Sequence, residues 1–575
     1  MRRIFMSKAR FWPLCCVSML ATVLLGALAT IANGQILSGT VQGAGSAPVE
    51  AAEVRAIGSN GVITVVLTNA QGKFEFPDLE TGNYTVTAYR KFYERSPGKK
   101  IQVGKGSAAA NFSISPLSAP PAIQLSTADM LPLLPGPNDE RDAFVAHCGD
   151  CHDINTPLQT HRSAAEWERV IDFMKHIEFG ELLLSPERTK PALDYLTKNF
   201  GPDSTLISKF GKEAEDQHKQ PIPLGTNIEY RQYTIPRVPW SYNAAGIPPM
   251  PDLGLSDGKG TVWFTVAAGH DGPDGKHHFG VGKVEVATGK FTFYNFKTPI
   301  PFASPFSMSF APDGKVWFAA RPIIGNIDPK TGVMEEIPLP PSLLDGKAPG
   351  GGLVPPDFPK NQPMSGMVAV GNDGMVWTNL LYHDAIASYN PETKTFKSYD
   401  VSGMPFGMAW NGGKVWMTMM RANKVGYMDP ETGEVKAYDI PSPRTGTERV
   451  KIDQKGRAWL PERDANKLGL LEPGSDHVVE TELPYECVPY SLEIDQKGAI
   501  WVICQNRQSL VRVDPDTKAM MEYPEPCCGG GSARELFLDP KGIMWYAEWL
   551  GGKVTAVKEL GPGNSVKSAH ASGGR

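Results

Sequence analysis

The sequence lacks a charge bias. Lys and Arg total 57 against 62 Asp and Glu in 575 residues, a net −5. That excludes a global electrostatic case for binding nucleic acid or an anionic membrane. Cysteine is scarce, with eight in the chain, so this is no disulfide scaffold. Apolar runs long enough to span a bilayer are missing after residue 32, which excludes a polytopic helical membrane protein. Long stretches without turn formers are also rare. With 59 Gly and 50 Pro, the chain reads as β-rich rather than built on long helices.

What is present begins with an export signal. Arg2, Arg3, Lys8 and Arg10 precede an apolar run from Phe11 to Ala32, and Ala32-Asn33-Gly34 supplies small residues for cleavage. The alternative is an uncleaved anchor, the only route to a membrane. Residues 1–34 are therefore read as a signal peptide and the remainder as periplasmic or otherwise exported. Cys15 and Cys16 leave with the signal.

Residues 35–116 read as a small β domain: Val62–Leu67 and Tyr84–Ala88 are β-branched or aromatic runs, punctuated by Gly72, Gly82 and Asn83. "SGTV" and "TNAQGKFEFPDLETGNYTVTAY" resemble the carboxypeptidase regulatory-like domain, which implies an accessory β-sandwich without catalytic residues. A proline-rich linker follows at 117–137. From 138 to 204 apolar residues recur at helical spacing (Trp167, Val170, Ile171, Met174; Leu193, Leu196, Phe200), which predicts three short helices. A second linker spans 205–228.

Residues 229–560 are a repeat. A tryptophan follows a Gly-containing turn seven times, at Trp263, Trp317, Trp377, Trp416, Trp459, Trp501 and Trp545, and the last four are spaced by 42–44 residues. A second turn per unit ("DPKTG", "NPETK", "DPETG") makes four strands, a propeller blade. The final unit lacks its outer strand. "EYRQYTIP", Glu229–Pro236, supplies it from the front and closes a seven-bladed ring. Residues 561–575 form a tail. The expected fold class is thus multidomain: β-sandwich, small α-helical domain, seven-bladed β-propeller.

Cys148-Gly149-Asp150-Cys151-His152 is C-x-x-C-H, the c-type haem attachment motif. Two thiols join one macrocycle and the next residue offers an imidazole to the iron; a simple disulfide is the alternative. The motif and the following "RSAAEWERVIDFMKHIEFGELLLSPERTKPALDYLTKNFG" resemble small class I-like cytochrome c domains. That resemblance implies one covalent haem c, ligated by His152 and, from the Trp167 helix, by Met174. His147, His161 and His176 compete for the sixth position.

The repeats "PFGMAWNGGKVWMTMMRANKVGYMDPETGEVKAYDIP" and "ERDANKLGL" resemble the streptogramin (virginiamycin B) lyase family, which implies the propeller fold. Family activity needs a histidine, glutamates and magnesium. Here the phrases that open the inner strands ("SPFSM", "MPFGM", "TERV", "VPYSL", "ARELF") hold no histidine, and only Glu548 in "WYAEW" matches a family glutamate. Magnesium and a catalytic role for Glu548 are therefore weakly implied.

One propeller face collects Arg321, Arg421, Arg444, Arg449, Arg463, Arg507 and Arg534 beside Glu448, Glu462, Glu535 and Glu548. The guanidiniums suit an anionic ligand; salt bridges among themselves are the alternative. The first blade's Gly-rich loop holds His270, Asp271, Asp274, His277 and His278, read as a solvated loop before a metal site. Cys487 and Cys504 flank one hairpin, a candidate disulfide, and Cys527-Cys528 are left open between a vicinal disulfide and separate thiols. The sequence thus points to haem-mediated electron transfer, with a redox partner protein or small anionic substrate at the propeller face and no nucleic acid. Whether the chain is itself an enzyme stays open. A magnesium-dependent lyase and a non-catalytic carbohydrate- or protein-binding module are the alternatives.

Overall fold

In the computed structural model the described residues are 36–149, 152–175, 186–219, 222–236, 250–271, 277–298, 305–347, 361–527 and 533–561. The expected signal, and the expected tail beyond Gly561, lie outside them. Among the described residues no helix is long and apolar enough to cross a membrane.

The repeats fold as β-propeller-like sheets. Six are four-stranded antiparallel units in sequence order, from Leu255–Ser256 through Phe291–Asn295 to Pro489–Ile494 through Met520–Pro524. A seventh unit consists of Phe537–Leu538, Met544–Glu548 and Lys553–Glu559, to which Ile228–Thr234 adds as the fourth strand. Arg231 pairs with Ala556 and Tyr233 with Val554, so the strand displaced to the front sits where the repeat pattern demands. The repeated tryptophans are buried between sheets, except Trp416, which is half-buried. In three blades the indole N–H donates to an aspartate six residues earlier: Trp459 to Asp453, Trp501 to Asp495 and Trp545 to Asp539, at 2.9–3.1 Å. Each aspartate also caps the turn in between, where Gly456, Gly498 and Gly542 take φ of 79–86°, a region open to glycine at little cost.

The N-terminal domain is β-sandwich-like. A three-stranded sheet, Lys73–Phe76, Leu37–Gln42 and Ala108–Ser113, packs through Val41, Phe74 and Phe112 onto Val54 and Val86 of a second sheet. That second sheet is not separate from the propeller. Ile63–Leu67 pairs antiparallel with Ile228–Thr234, Val65 opposite Tyr230, giving one eight-stranded sheet. Val65 and Leu67 share a core with Tyr230, Trp501, Tyr523 and Tyr546. The last blade's outer edge is thereby covered rather than left open.

Among the described residues six helices follow: α1 Thr127–Met130, α2 Asn138–Cys148, α3 Asn155–Gln159, α4 Ala164–Lys175, α5 Pro186–Asn199 and α6 Leu206–Glu213. The sequence pattern showed three because α1, α3 and α6 are too short to display a period. Both expected linkers are thus partly helical. At the start of α4 the Ser163 N–H and hydroxyl both donate to the Glu166 carboxylate at 2.7–2.8 Å. Phe144 of α2 stacks on Tyr195 of α5 at 4.7 Å, in a core with Ile154, Leu158, Trp167, Leu196 and Phe200.

The first blade also differs from expectation. Its Gly-rich segment continues as a ladder, Thr261–Asp271 against His277–Glu285, with an irregularity between Val266 and His270. His270 is opposite His278 and Asp271 opposite His277 in backbone register. A bulge lets pairing resume beyond it, so most of the segment is strand, not loop. Asp274 lies outside the described residues.

Candidate functional site

α2 ends at Cys148, with Gly149 as its C-cap. Cys148 is half-buried against the helical core. Asp150 and Cys151 lie outside the described residues; His152 is described and half-buried. Its Nδ1 is 2.5 Å from the Asp153 carbonyl oxygen. A carbonyl only accepts, so Nδ1 carries the proton and Nε2 keeps a lone pair. Burial, and then Arg534 and Arg463, hold the imidazole below its ordinary pKa against the pull of Asp153. Asp153 is itself fixed: its Oδ1 accepts from the Asn155 N–H at 2.9 Å, and Asn155 Oδ1 accepts from Thr127 Oγ1 at 2.7 Å. Asp153 and the start of α3 are therefore pinned to α1. Met174 is half-buried on α4.

The C-terminal end of α2 faces the propeller. The Gly149 carbonyl accepts a hydrogen bond from Arg463 Nη2. Between them lies a cavity of about 840 Å³, walled by Val145, His147, Gly149 and Ile154 on the helical side. Arg444, Arg463, Tyr485 and Val488 are among its propeller-side walls.

The phrases that open the inner strands bring a second cluster together. Tyr490 OH accepts from Arg534 Nη1 and, at 3.4 Å, from Arg449 Nη2. Arg449 Nε is 3.2 Å from Glu535, and Arg534 Nε is 3.7 Å from Asp252. The Arg534 guanidinium lies 4.0 Å from the Trp549 ring centroid and 4.5 Å from that of Tyr490. Burial raises Asp252 to about 6, with Arg534 and Arg449 pulling the other way.

The arginines expected to line one mouth thus separate. Arg449 and Arg534 are buried in this cluster and matched by carboxylates. Arg507 is wholly buried and bidentate to Glu522 at 2.7 Å; it also donates to the Gln217 and Tyr485 carbonyls, which makes it a clamp on the second linker. Arg321 is buried beside Phe306, and Arg421 pairs with Asp384 at 3.5 Å. Arg444 and Arg463 line the cavity. Glu548 is buried among donors: Gln232 Nε2 at 2.6 Å, Thr555 Oγ1 at 2.7 Å and Lys553 Nζ at 2.8 Å. Asp252, Tyr490 and Trp549 were not singled out from sequence; the signal for Tyr490 was its place in "VPYSL", where the lyase-like pattern carries its histidine phrase.

Cys487 and Cys504 form a disulfide. Cys527 is disulfide-bonded as well, with its N–H on Glu53 at 2.8 Å and its Sγ 3.1 Å from Tyr89 OH. Cys528 lies outside the described residues. Among the described residues no group of three or more His, Cys, Asp or Glu is arranged to hold a metal ion.

Two family models match: the virginiamycin B lyase family over residues 355–568 and the carboxypeptidase regulatory-like domain over residues 36–115. The chain accordingly carries a carboxypeptidase regulatory-like N-terminal domain and a virginiamycin B lyase-like β-propeller. No curated protein matches the chain. Among solved structures, a streptogramin B lyase is 19% identical, covering 58% of this chain and 98% of its own, with a TM-score of 0.46. Virginiamycin B lyase from Staphylococcus aureus is 19% identical over 58% and 99%, with a TM-score of 0.46. The WD40 repeats of RRP9 are 8% identical over 58% and 98%, with a TM-score of 0.43.

Proposed function

We propose that the chain is an exported c-type cytochrome in which Cys148 and Cys151 would hold one haem c, His152 would ligate its iron and Met174 would be the sixth ligand, with the seven-bladed propeller as the binding domain. The observation that carries this reading is the state of His152. A C-x-x-C-H histidine must present an unprotonated Nε2, and the Asp153 carbonyl enforces that tautomer from the other side of the ring. The aromatic packing of α2 on α5 supports it, because it fixes the helix that bears Cys148. When bound, haem supplies a one-electron centre. The protein's own part is to hold the imidazole, exclude water with the Trp167 core and present the α2 terminus to the propeller.

The test is expression with the signal in a host that matures c-type cytochromes, followed by denaturing extraction. Haem is expected to stay with the polypeptide and to be lost in the C148A/C151A variant. Absence of retained haem overturns the proposal. Loss of a sulfur-to-iron charge-transfer band in M174A would identify the sixth ligand.

The lyase alternative has the family-model match behind it. Against it, the strand-opening phrases lack histidine, and Glu548 already accepts from three donors. A carboxylate so engaged is poorly placed to take a proton from a substrate.

A further inference from the structure

We propose that Arg463 of the fifth blade is a positioning residue, through which the propeller holds the end of α2 that bears Cys148, and that, resting on the cytochrome reading, its charge raises the potential of a haem attached there.

α2 ends inside the C-x-x-C-H motif. The last carbonyls of a helix have no partner within it and carry its negative end. The Gly149 N–H closes α2 on the Val145 carbonyl at 2.8 Å. A Cβ at Gly149 would lie 2.6 Å from that same oxygen, so the approach requires glycine. The Gly149 carbonyl then accepts from Arg463 Nη2. Cations are favourable at a helix C-terminus, and this one comes from 314 residues further along the chain.

Arg463 is built into the blade. It lies in the turn between Ala458–Glu462 and Lys467–Leu471 and is only 6% exposed. Its Nη1 donates to Asp464 at 3.3 Å, and the Asp464 N–H donates to the Thr445 carbonyl at 2.9 Å. A guanidinium is planar and keeps its proton, so its two engaged arms fix Gly149 relative to the blade. Asp464 does not cancel the charge, because its side chain is 48% exposed and screened by water. Burial apart, Arg534 and Arg463 both act on the His152 imidazole, with Asp153 opposing them. The propeller thus meets the motif at Gly149 by a hydrogen bond and at His152 by charge. Ferric haem carries one positive charge more than ferrous haem, so a fixed buried cation favours the ferrous state and raises the potential.

The experiment has a haem-free and a haem-bearing arm. In the haem-free C148A/C151A chain, hydrogen exchange of peptides covering residues 143–149 should be about tenfold faster after R463M, the order for losing one charge-assisted hydrogen bond. Unchanged exchange overturns the positioning role. In the matured chain, R463M should lower the ferrous-to-ferric ratio at a given solution potential tenfold, a midpoint shift of about 59 mV for one electron. D464N, which strips Arg463 of its counter-charge, should raise the midpoint, and at its half-exposed site it keeps the test open if R463M disturbs the blade. A purely structural role would not move the two variants in opposite directions. Equal midpoints in the parent, R463M and D464N, or shifts of one sign in both variants, overturn the electrostatic role. Haem retention is scored on the denatured parent. Its absence there defeats the cytochrome reading and the potential with it, while the haem-free arm still decides whether Arg463 holds α2.

Discussion

Glu462 and Glu548 end matching strands, "WLPE" and "WYAE", and reach opposite states. Glu548 meets three donors. Glu462 is wholly buried, its carboxylate oxygens accept nothing, and burial, reinforced by Glu480, raises it to about 8. Glu480 already receives Lys467 at 2.8 Å and Ser442 at 2.6 Å, so the proton rests on Glu462. An unfolded glutamate titrates near 4.3, so raising pH from there to about 8 removes a proton from the unfolded state first and costs stability. Glu462→Gln removes that cost. Its denaturant midpoint should match the parent at pH 5 and exceed it at pH 8.5; equal midpoints at both pH values would mean Glu462 ionises freely. The sequence shows these two glutamates alike, as it shows all seven arginines alike. The Cys148–His152 pattern was legible as a motif because its residues are contiguous. The Asp252–Arg534–Tyr490–Arg449 cluster was not, because it is assembled from different blades.

At the level of elements, the blades were the most readable part, since each repeats one turn and one tryptophan. The structure adds a reason for the repeat. Asp495 accepts from the Lys497 and Ala499 N–H groups and from the Trp501 indole at 2.8–2.9 Å. One side chain thereby shapes the turn and satisfies the buried tryptophan. Asp495→Ala should cost about 2 kcal/mol, the order expected when a buried indole N–H loses its acceptor. Asp539→Ala should cost a similar amount, because Ile543 and Trp545 rely on it in the same way. Urea unfolding followed by tryptophan fluorescence measures both, and a cost confined to one blade would contradict the shared role. The pairing of Ile63–Leu67 with Ile228–Thr234 was beyond such reading. Neither strand alternates cleanly, since both faces of each are largely covered; no sequence period relates segments that far apart, and the register between them is set by the shared core.

Across the whole molecule, buried charges tie the three parts together. Lys91 of the N-terminal domain contacts Asp129 of α1 at 2.7 Å and Asp216 of the second linker at 3.2 Å, and Arg90 approaches Asp216 at 3.5 Å. The Gln217 N–H donates to Asp129 at 3.0 Å. Next along the chain, His218 lies 3.1 Å from Glu522 of the sixth blade, which Arg507 also holds. Against burial, Lys91, His218 and Arg90 keep Asp216 well below the usual carboxylate range, and His218 and Arg507 do the same for Glu522. Carboxylates with depressed folded values stabilise at every pH above their unfolded values, near 4. That contribution falls away as the pH drops further. Acid should therefore release the helical segment and linker from the propeller before the blades unfold, because the blade cores in this region are apolar and aromatic. Lys91→Met should mimic this at neutral pH, since it leaves two buried carboxylates short of their cation at a cost of about 3–5 kcal/mol. Limited proteolysis across the second linker reads both cases: the parent should resist at pH 7 and be cut at pH 3, and Lys91→Met should be cut at pH 7 with the propeller fragment intact. A parent chain that loses propeller and linker together on acidification would show that the blades, not the buried charges, set the order of opening.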